Sequence, residues 1–138
     1  MQQAAKVLRD SQDELRSYTA SVPELQFNIE GVGTFHDAVL YANTRCSMFV
    51  LDFVKLVREK LKAGGVRVEE RRDFHPHMTL LNLRKKLREK HDVESIDSTI
   101  VDRLCDTTFG TQSINSISLC KMEPDSTGFY TTVVDIDV

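Results

Sequence analysis

Apolar positions along this chain change their spacing several times, and each change marks an element. Between residues 3 and 19, Ala4, Leu8, Leu15 and Tyr18 share one helical stripe, and Pro23 follows as a stop. "ELQFNIE" then alternates, with Leu25, Phe27 and Ile29 turned inward and Gln26, Asn28 and Glu30 outward, the pattern of a half-buried strand. "GVG" predicts a break, and "DAVLYAN" (37–43) a second strand, joined by a short glycine-containing connection that carries Phe35 and His36. Residues 46–63 form the clearest helix. Phe49, Val50, Phe53, Val54, Val57 and Leu61 make its apolar face, and Gly64-Gly65 supplies its stop.

"FHPHMTLLNL" (74–83) predicts a third strand over Pro76–Leu83, a buried one by its apolar run, with two histidines and a threonine at its mouth. "LRKKLREK" (83–90) reads as a solvated loop or helix face. A short helix is expected over 97–105, with Asp97 as N-cap and Ile96 stapled against Val101. Strands at 113–122 and 129–137 flank the turn signal "EPDSTG". The order α, β-β, α, β, α, β-β predicts an α+β fold, a mainly antiparallel sheet packed by helices, in a single domain over 1–138.

Composition narrows the function classes. A chain of 138 residues, 41% hydrophobic and 28% charged, can bury a core without disulfides or metals. Cys46, Cys105 and Cys120 lack CxxC spacing, which suits reduced thiols in the cytosol or nucleus. Cys46 and Cys105 read as buried helix positions rather than nucleophiles. The N-terminal stretch is too charged for a signal peptide, and no apolar run reaches membrane-spanning length. The net charge of −3 argues against a general nucleic-acid binder. Its distribution changes that picture, because eleven basic residues face five acidic ones between Arg58 and Lys90. Such a local field can hold phosphates, and Arg84, Lys85 and Lys86 are its candidate contacts.

Alternate residues of a strand share a face, so His77, Thr79, Leu81 and Leu83 are expected on one side and Met78, Leu80 and Asn82 on the other. A His-x-Thr strand sets an imidazole, able to move a proton near neutral pH, beside a hydroxyl able to hold a phosphoryl oxygen. Taken alone, that spacing equally describes a hydrogen-bonded structural histidine. His75 and His77 facing one side would suit a metal, but His36 and His91 stand apart in sequence and no third ligand is evident.

The wider context is more specific. "GVGTF" (31–35), a long helix, "RDFHPHMTLLNL", "LREKHDVESID", "FGTQSINSISLCKM" and "GFYTTV" occur in that order. Together, over roughly residues 24–136, they resemble the 2H phosphoesterase superfamily, specifically the A-kinase anchor protein 7-like phosphoesterase domain of the 2′-5′ RNA ligase-like fold. The resemblance implies a bilobal α+β fold in which each lobe brings a His-x-Thr/Ser motif to a central cleft. It implies metal-free and cofactor-free cleavage or joining of phosphodiesters, with one histidine as base and the other as acid. The implied substrates are 2′,5′-linked oligoadenylates, or nucleotides and RNA with cyclic phosphates, and AMP is an implied ligand. His77 and Thr79 match the second motif.

No other His-x-Thr or His-x-Ser occurs in the sequence. The expectation is therefore a partial 2H fold lacking its N-terminal strand-helix-strand unit, with half of a two-histidine site. Losing one acid–base partner costs about 10²–10⁴ in rate. The kinase-anchoring helix that the resemblance places beyond the domain is likewise expected to be absent. A second function class stays open: a non-catalytic nucleotide or RNA-binding or protein-interaction module, with Phe35 and Tyr130 as stacking platforms. A fold missing its first strands should expose an edge, which predicts a homodimer or a complementing partner chain.

Overall fold

A computed structural model describes residues 1–69 and 73–138, except for the side chain of Lys86. Arg71 and Arg72 of the basic window, and the expected phosphate contact from Lys86, thus lie outside the described part. The elements are helices α1 (Gln2–Asp10) and α2 (Gln12–Ser21), strands β1 (Gln26–Phe35) and β2 (Val39–Cys46), helix α3 (Met48–Ala63), strand β3 (His77–Asn82), helices α4 (Lys85–His91) and α5 (Ser98–Leu104), and strands β4 (Thr108–Ser113), β5 (Ser116–Pro124) and β6 (Tyr130–Asp137). This is an α+β fold with antiparallel pairing, as its patterning predicts. The chain divides into two compact units.

One unit holds α1, α2, α3 and the β5–β6 hairpin. Its core is Ala5, Leu8, Leu15, Phe53, Val134 and Ile136. The stripe expected over 3–19 is real, since Ala4, Leu8 and Leu15 are buried, but the helix is parted at Ser11. There the Ser11 N–H is shared between the carbonyls of Val7 and Leu8, at 3.0 and 3.3 Å. Helix α3 buries Val50 and Phe53, and Tyr18 stacks on Phe53 at 5.9 Å between centroids. The "EPDSTG" turn closes the hairpin through Asp125, whose Oδ1 accepts from the backbone N–H of Thr127 and of Phe129, at 2.8 and 3.2 Å.

The other unit is a four-stranded sheet in the order β3-β2-β1-β4, with α4 and α5. Its core, Val32, Leu40 and Ile96, gathers Leu83, Val101 and Leu104. Asp97 caps α5 as expected, accepting from Thr99 N–H at 2.9 Å, and Ile96 and Val101 enter the same cluster.

Four expectations are corrected here. "GVG" does not break the strand. β1 runs through it with a bulge, because Ile29 pairs with Thr44 but Val32 with Ala42. Gly31 carries the bulge at φ +68°, and its N–H donates to Thr107 O at 2.7 Å. A Cβ at that position would meet Cys105 O at 2.5 Å, so only glycine fits. The hairpin turn is instead made by His36 and Asp37, both at φ +50°, closed by Ala38 N–H to Phe35 O at 3.0 Å. Asp and His are among the residues that tolerate this left-handed region.

Strand β3 is exposed along its whole length, not buried. It is, with β4, an outer strand of its sheet among the described residues, and Met78, Leu80 and Leu81 remain about two-fifths exposed. A register shift also changes its faces: Tyr41 pairs with Thr79 but Leu40 with Leu81, so Leu80 is the extra residue. Leu81 therefore joins Leu40 on the face opposite Thr79, and both line a cavity with Ile96 and Ile100. Finally, Cys46 ends β2 half-buried and Cys105 is exposed beyond α5, so neither is a buried helix residue. Among the described residues, no helix is long and apolar enough to cross a membrane.

Candidate functional site

The two faces of the four-stranded sheet have different chemistry. One carries Val32, Leu40 and Ala42 toward the α5 side. On the other, strand alternation places Gly33, Phe35, Tyr41, Asn43, His77 and Thr79 together, because Gly33 pairs with Tyr41, Tyr41 with Thr79 and Asn43 with His77. That register brings the His-x-Thr motif onto an aromatic platform.

Phe35 and Tyr41 stack with centroids 4.2 Å apart and planes 24° apart. His77 meets both edge-on, at 5.2 Å from Phe35 and 5.7 Å from Tyr41. His75 meets the same two rings, each at 6.0 Å, and stands 6.2 Å from His77 at an interplanar angle of 28°. Both imidazoles are solvent-accessible while the Tyr41 beneath them is buried.

The tautomer of His77 follows from one hydrogen bond. Its Nδ1 lies 2.9 Å from the backbone carbonyl of His75. A carbonyl oxygen only accepts, so the neutral ring carries its proton on Nδ1 and presents an unprotonated Nε2. An imidazole held in this way can take a proton from a hydroxyl or water, or return one when charged. Thr79, two residues on, presents its hydroxyl along the same face.

A polar cavity of about 340 Å³ adjoins this face, lined by Glu30, Asn43, Arg45, Cys105 and Asp106. Arg45 is held by Glu30 at 2.9 Å. Asn43 connects the cavity to the motif, since it is the cross-strand partner of His77. Among the described residues there is no cluster of three or more His, Cys, Asp or Glu able to hold a metal ion. Burial pushes the Cys46 thiol above its ordinary range, away from the thiolate that nucleophilic chemistry needs.

The other candidates lie elsewhere. Arg84 caps α4 and Lys85 begins it, beyond Asn82, the end of β3 opposite His77. Lys85 approaches Glu89 at 3.7 Å with both groups exposed, a contact of little energy. Tyr130 opens β6 in the other unit and is exposed. Tyr41 and His75 also belong to the cluster, Tyr41 with no signal in the patterning and His75 weighed there only as a metal ligand beside His77. Tyr41 reads as an ordinary strand residue, and only its pairing with a glycine hints that its ring lies across β1. For His75 the signal was present: a residue before proline is held extended, so His75, His77 and Thr79 alternate onto one face.

Comparison with known proteins identifies the family. The chain matches the family described as the AKAP7 2′5′ RNA ligase-like domain over residues 1–138. It is also similar to the A-kinase anchor protein 7 isoform gamma of Homo sapiens, with 29% identity over 113 residues, 77% of this chain and 32% of that protein. The chain thus spans about a third of the length of that relative. Because the family match runs from the first residue to the last, across both compact units, this chain belongs to the AKAP7 2′5′ RNA ligase-like domain family.

Proposed function

We propose that this 2H phosphoesterase-like domain binds and hydrolyses phosphodiesters of small nucleotides or short RNA, of the 2′,5′-linked or cyclic phosphate type. His77 transfers the proton and Thr79 holds a phosphoryl oxygen. The observation that carries this reading is the His77 Nδ1–H bond to the His75 carbonyl, which leaves Nε2 of the neutral ring without a proton on the strand face that Thr79 shares. Phe35 and Tyr41 offer the flat apolar surface on which a base stacks. The neighbouring cavity, with Glu30 and Asp106 as acceptors and Asn43 as both donor and acceptor, suits sugar hydroxyls. Three free thiols support a reducing compartment, the cytosol or nucleus.

The test is turnover of a 2′,5′-linked oligoadenylate and a 2′,3′-cyclic nucleotide. His77→Ala should lower the rate by about 10²–10⁴, the usual contribution of a positioned acid or base. Thr79→Val should weaken nucleotide binding as well as turnover. A rate unchanged by His77→Ala removes the assignment. Saturable AMP binding without turnover in the parent protein would support the non-catalytic module instead. In that case binding should weaken with rising salt if Arg84, Lys85 and Lys86 contact phosphate.

A further inference from the structure

The basic stretch 84–90 stands apart from the site around His77, beyond the far end of β3. It borders instead an apolar groove of about 500 Å³ on the opposite face of the same sheet. The geometry points to a docking groove for an amphipathic helix of a partner protein. The apolar ridge of that helix fills the groove, and its acidic flank meets α4.

The groove lies within one compact unit. Leu40 and Ile96 are buried at its base, while Leu81, Leu87, Val93 and Ile100 around them are each about two-fifths exposed. Its walls are already fixed. Arg88 Nε–H donates to the Leu83 carbonyl at 3.0 Å, tying α4 to the end of β3. Ile96 N–H donates to the Asp37 carbonyl at 2.8 Å, tying the approach to α5 to the β1–β2 turn. A recess set before binding costs its guest less ordering than one that must form around it.

Shape and charge identify the guest. Small-ligand sites bury about 70–90% of their ligand, and four apolar side chains facing solvent make this recess too open for that. A bilayer surface is too flat to reach its base. An α-helix is about 10–12 Å across and presents apolar residues at i, i+3, i+4 and i+7, so its ridge can enter. Five of the eight residues 84–91 are Lys or Arg, and only Glu89 is acidic. Arg84 and Lys90 stand three residues either side of Leu87, so both neighbour the apolar wall on α4. Lys85 approaches Glu89 and Arg88 holds the Leu83 carbonyl, but Arg84 and Lys90 make no ion pair among the described residues. Those two cations are the complement of an acidic flank. Beyond α4 the sign reverses at Asp92 and Glu94, and Asp97 is engaged as the cap of α5. The acidic flank therefore belongs beside α4.

The test titrates the full chain into a fluorescent helical peptide of about 18 residues, with leucine at the ridge positions and glutamate on both flanks. Anisotropy should show saturable binding that weakens with rising salt. Leu87→Ser and Ile100→Ser change exposed positions on separate helices, and each should weaken binding about tenfold. Arg84→Glu/Lys90→Glu should weaken the glutamate peptide about tenfold and tighten a lysine-flanked counterpart, a swap that misfolding cannot mimic. No saturable binding, or equal binding of both peptides to the parent chain, overturns the proposal. So does binding that neither serine variant weakens. Two further outcomes reassign the face and overturn it as well. One is capture of the parent chain, but not of Leu87→Ser or Ile100→Ser, by phosphatidylserine–phosphatidylcholine vesicles. The other is loss of self-association in those same variants with no peptide present, which would make a second copy the occupant.

Discussion

At Gly33 the missing side chain is what lets the Tyr41 ring lie across β1. A Cβ there would meet Tyr41 Oη at 2.6 Å and Cζ at 2.7 Å. Tyr41 is buried and already stacked on Phe35, so it has little room to yield. Gly33→Ala should therefore displace the aromatic pair and cost about 1–3 kcal/mol, the range for overpacking. Denaturant melts check the energy, and shifted ring signals from His75 and His77 check the displacement; a variant that melts like the parent contradicts it. At this scale His77 and Thr79 are legible in the sequence, because the spacing of a strand alone puts them on one face. The Leu81 side is not, because the bulge at Leu80 depends on how β2 and β3 register.

Two short elements depend on carboxylates, which gives them a defined pH response. The Thr99 backbone N–H, followed by its side chain, holds the Asp97 carboxyl below the usual carboxylate range at the start of α5. The Thr127 side chain and then its backbone N–H do the same for Asp125 in the β5–β6 turn. A lowered carboxyl binds fewer protons folded than unfolded, so its stabilisation is present above the ordinary value, about 3.9, and fades as pH falls through the lower folded value. Melting temperatures taken from pH 7 down to 3 should therefore show a steeper acid decline for the parent than for Asp97→Asn/Asp125→Asn. Asn keeps the cap acceptor and loses the titration. Parallel curves would rule out this linkage. The N-cap and the "EPDSTG" turn were readable because each is a local hydrogen-bonding habit of Asp. The Ser11 break and strand β4 were not. "TFGTQS" (108–113) has a weak apolar alternation, and it becomes a strand by joining the sheet beside β1.

At the scale of the molecule, β3 lies at one edge of its sheet among the described residues, with Met78, Leu80 and Leu81 about two-fifths exposed. Exposed apolar edges of this kind invite strand pairing between chains. Sedimentation at micromolar concentration should show self-association, and Leu80→Lys, which puts a charge on that edge, should return the chain to a monomer. A parent that sediments as a monomer at tens of micromolar refutes the edge pairing.

Features that depend on neighbours along the chain are already written in the residue order. The α3 stripe, the first half of β1, the Asp97 cap, the acidic turn and the His-x-Thr spacing all reflect backbone periodicity and local hydrogen bonds. Only the tertiary structure decided what depends on partners far away in sequence. Gly31 became a bulge, not a break, because β1 had to keep its register against β2 while passing close to Cys105. β3 became exposed because, among the described residues, it has one neighbouring strand instead of two. The candidate site gained its aromatic floor because Gly33, Tyr41 and Thr79 come level across three strands, a coincidence of registers that no local pattern records.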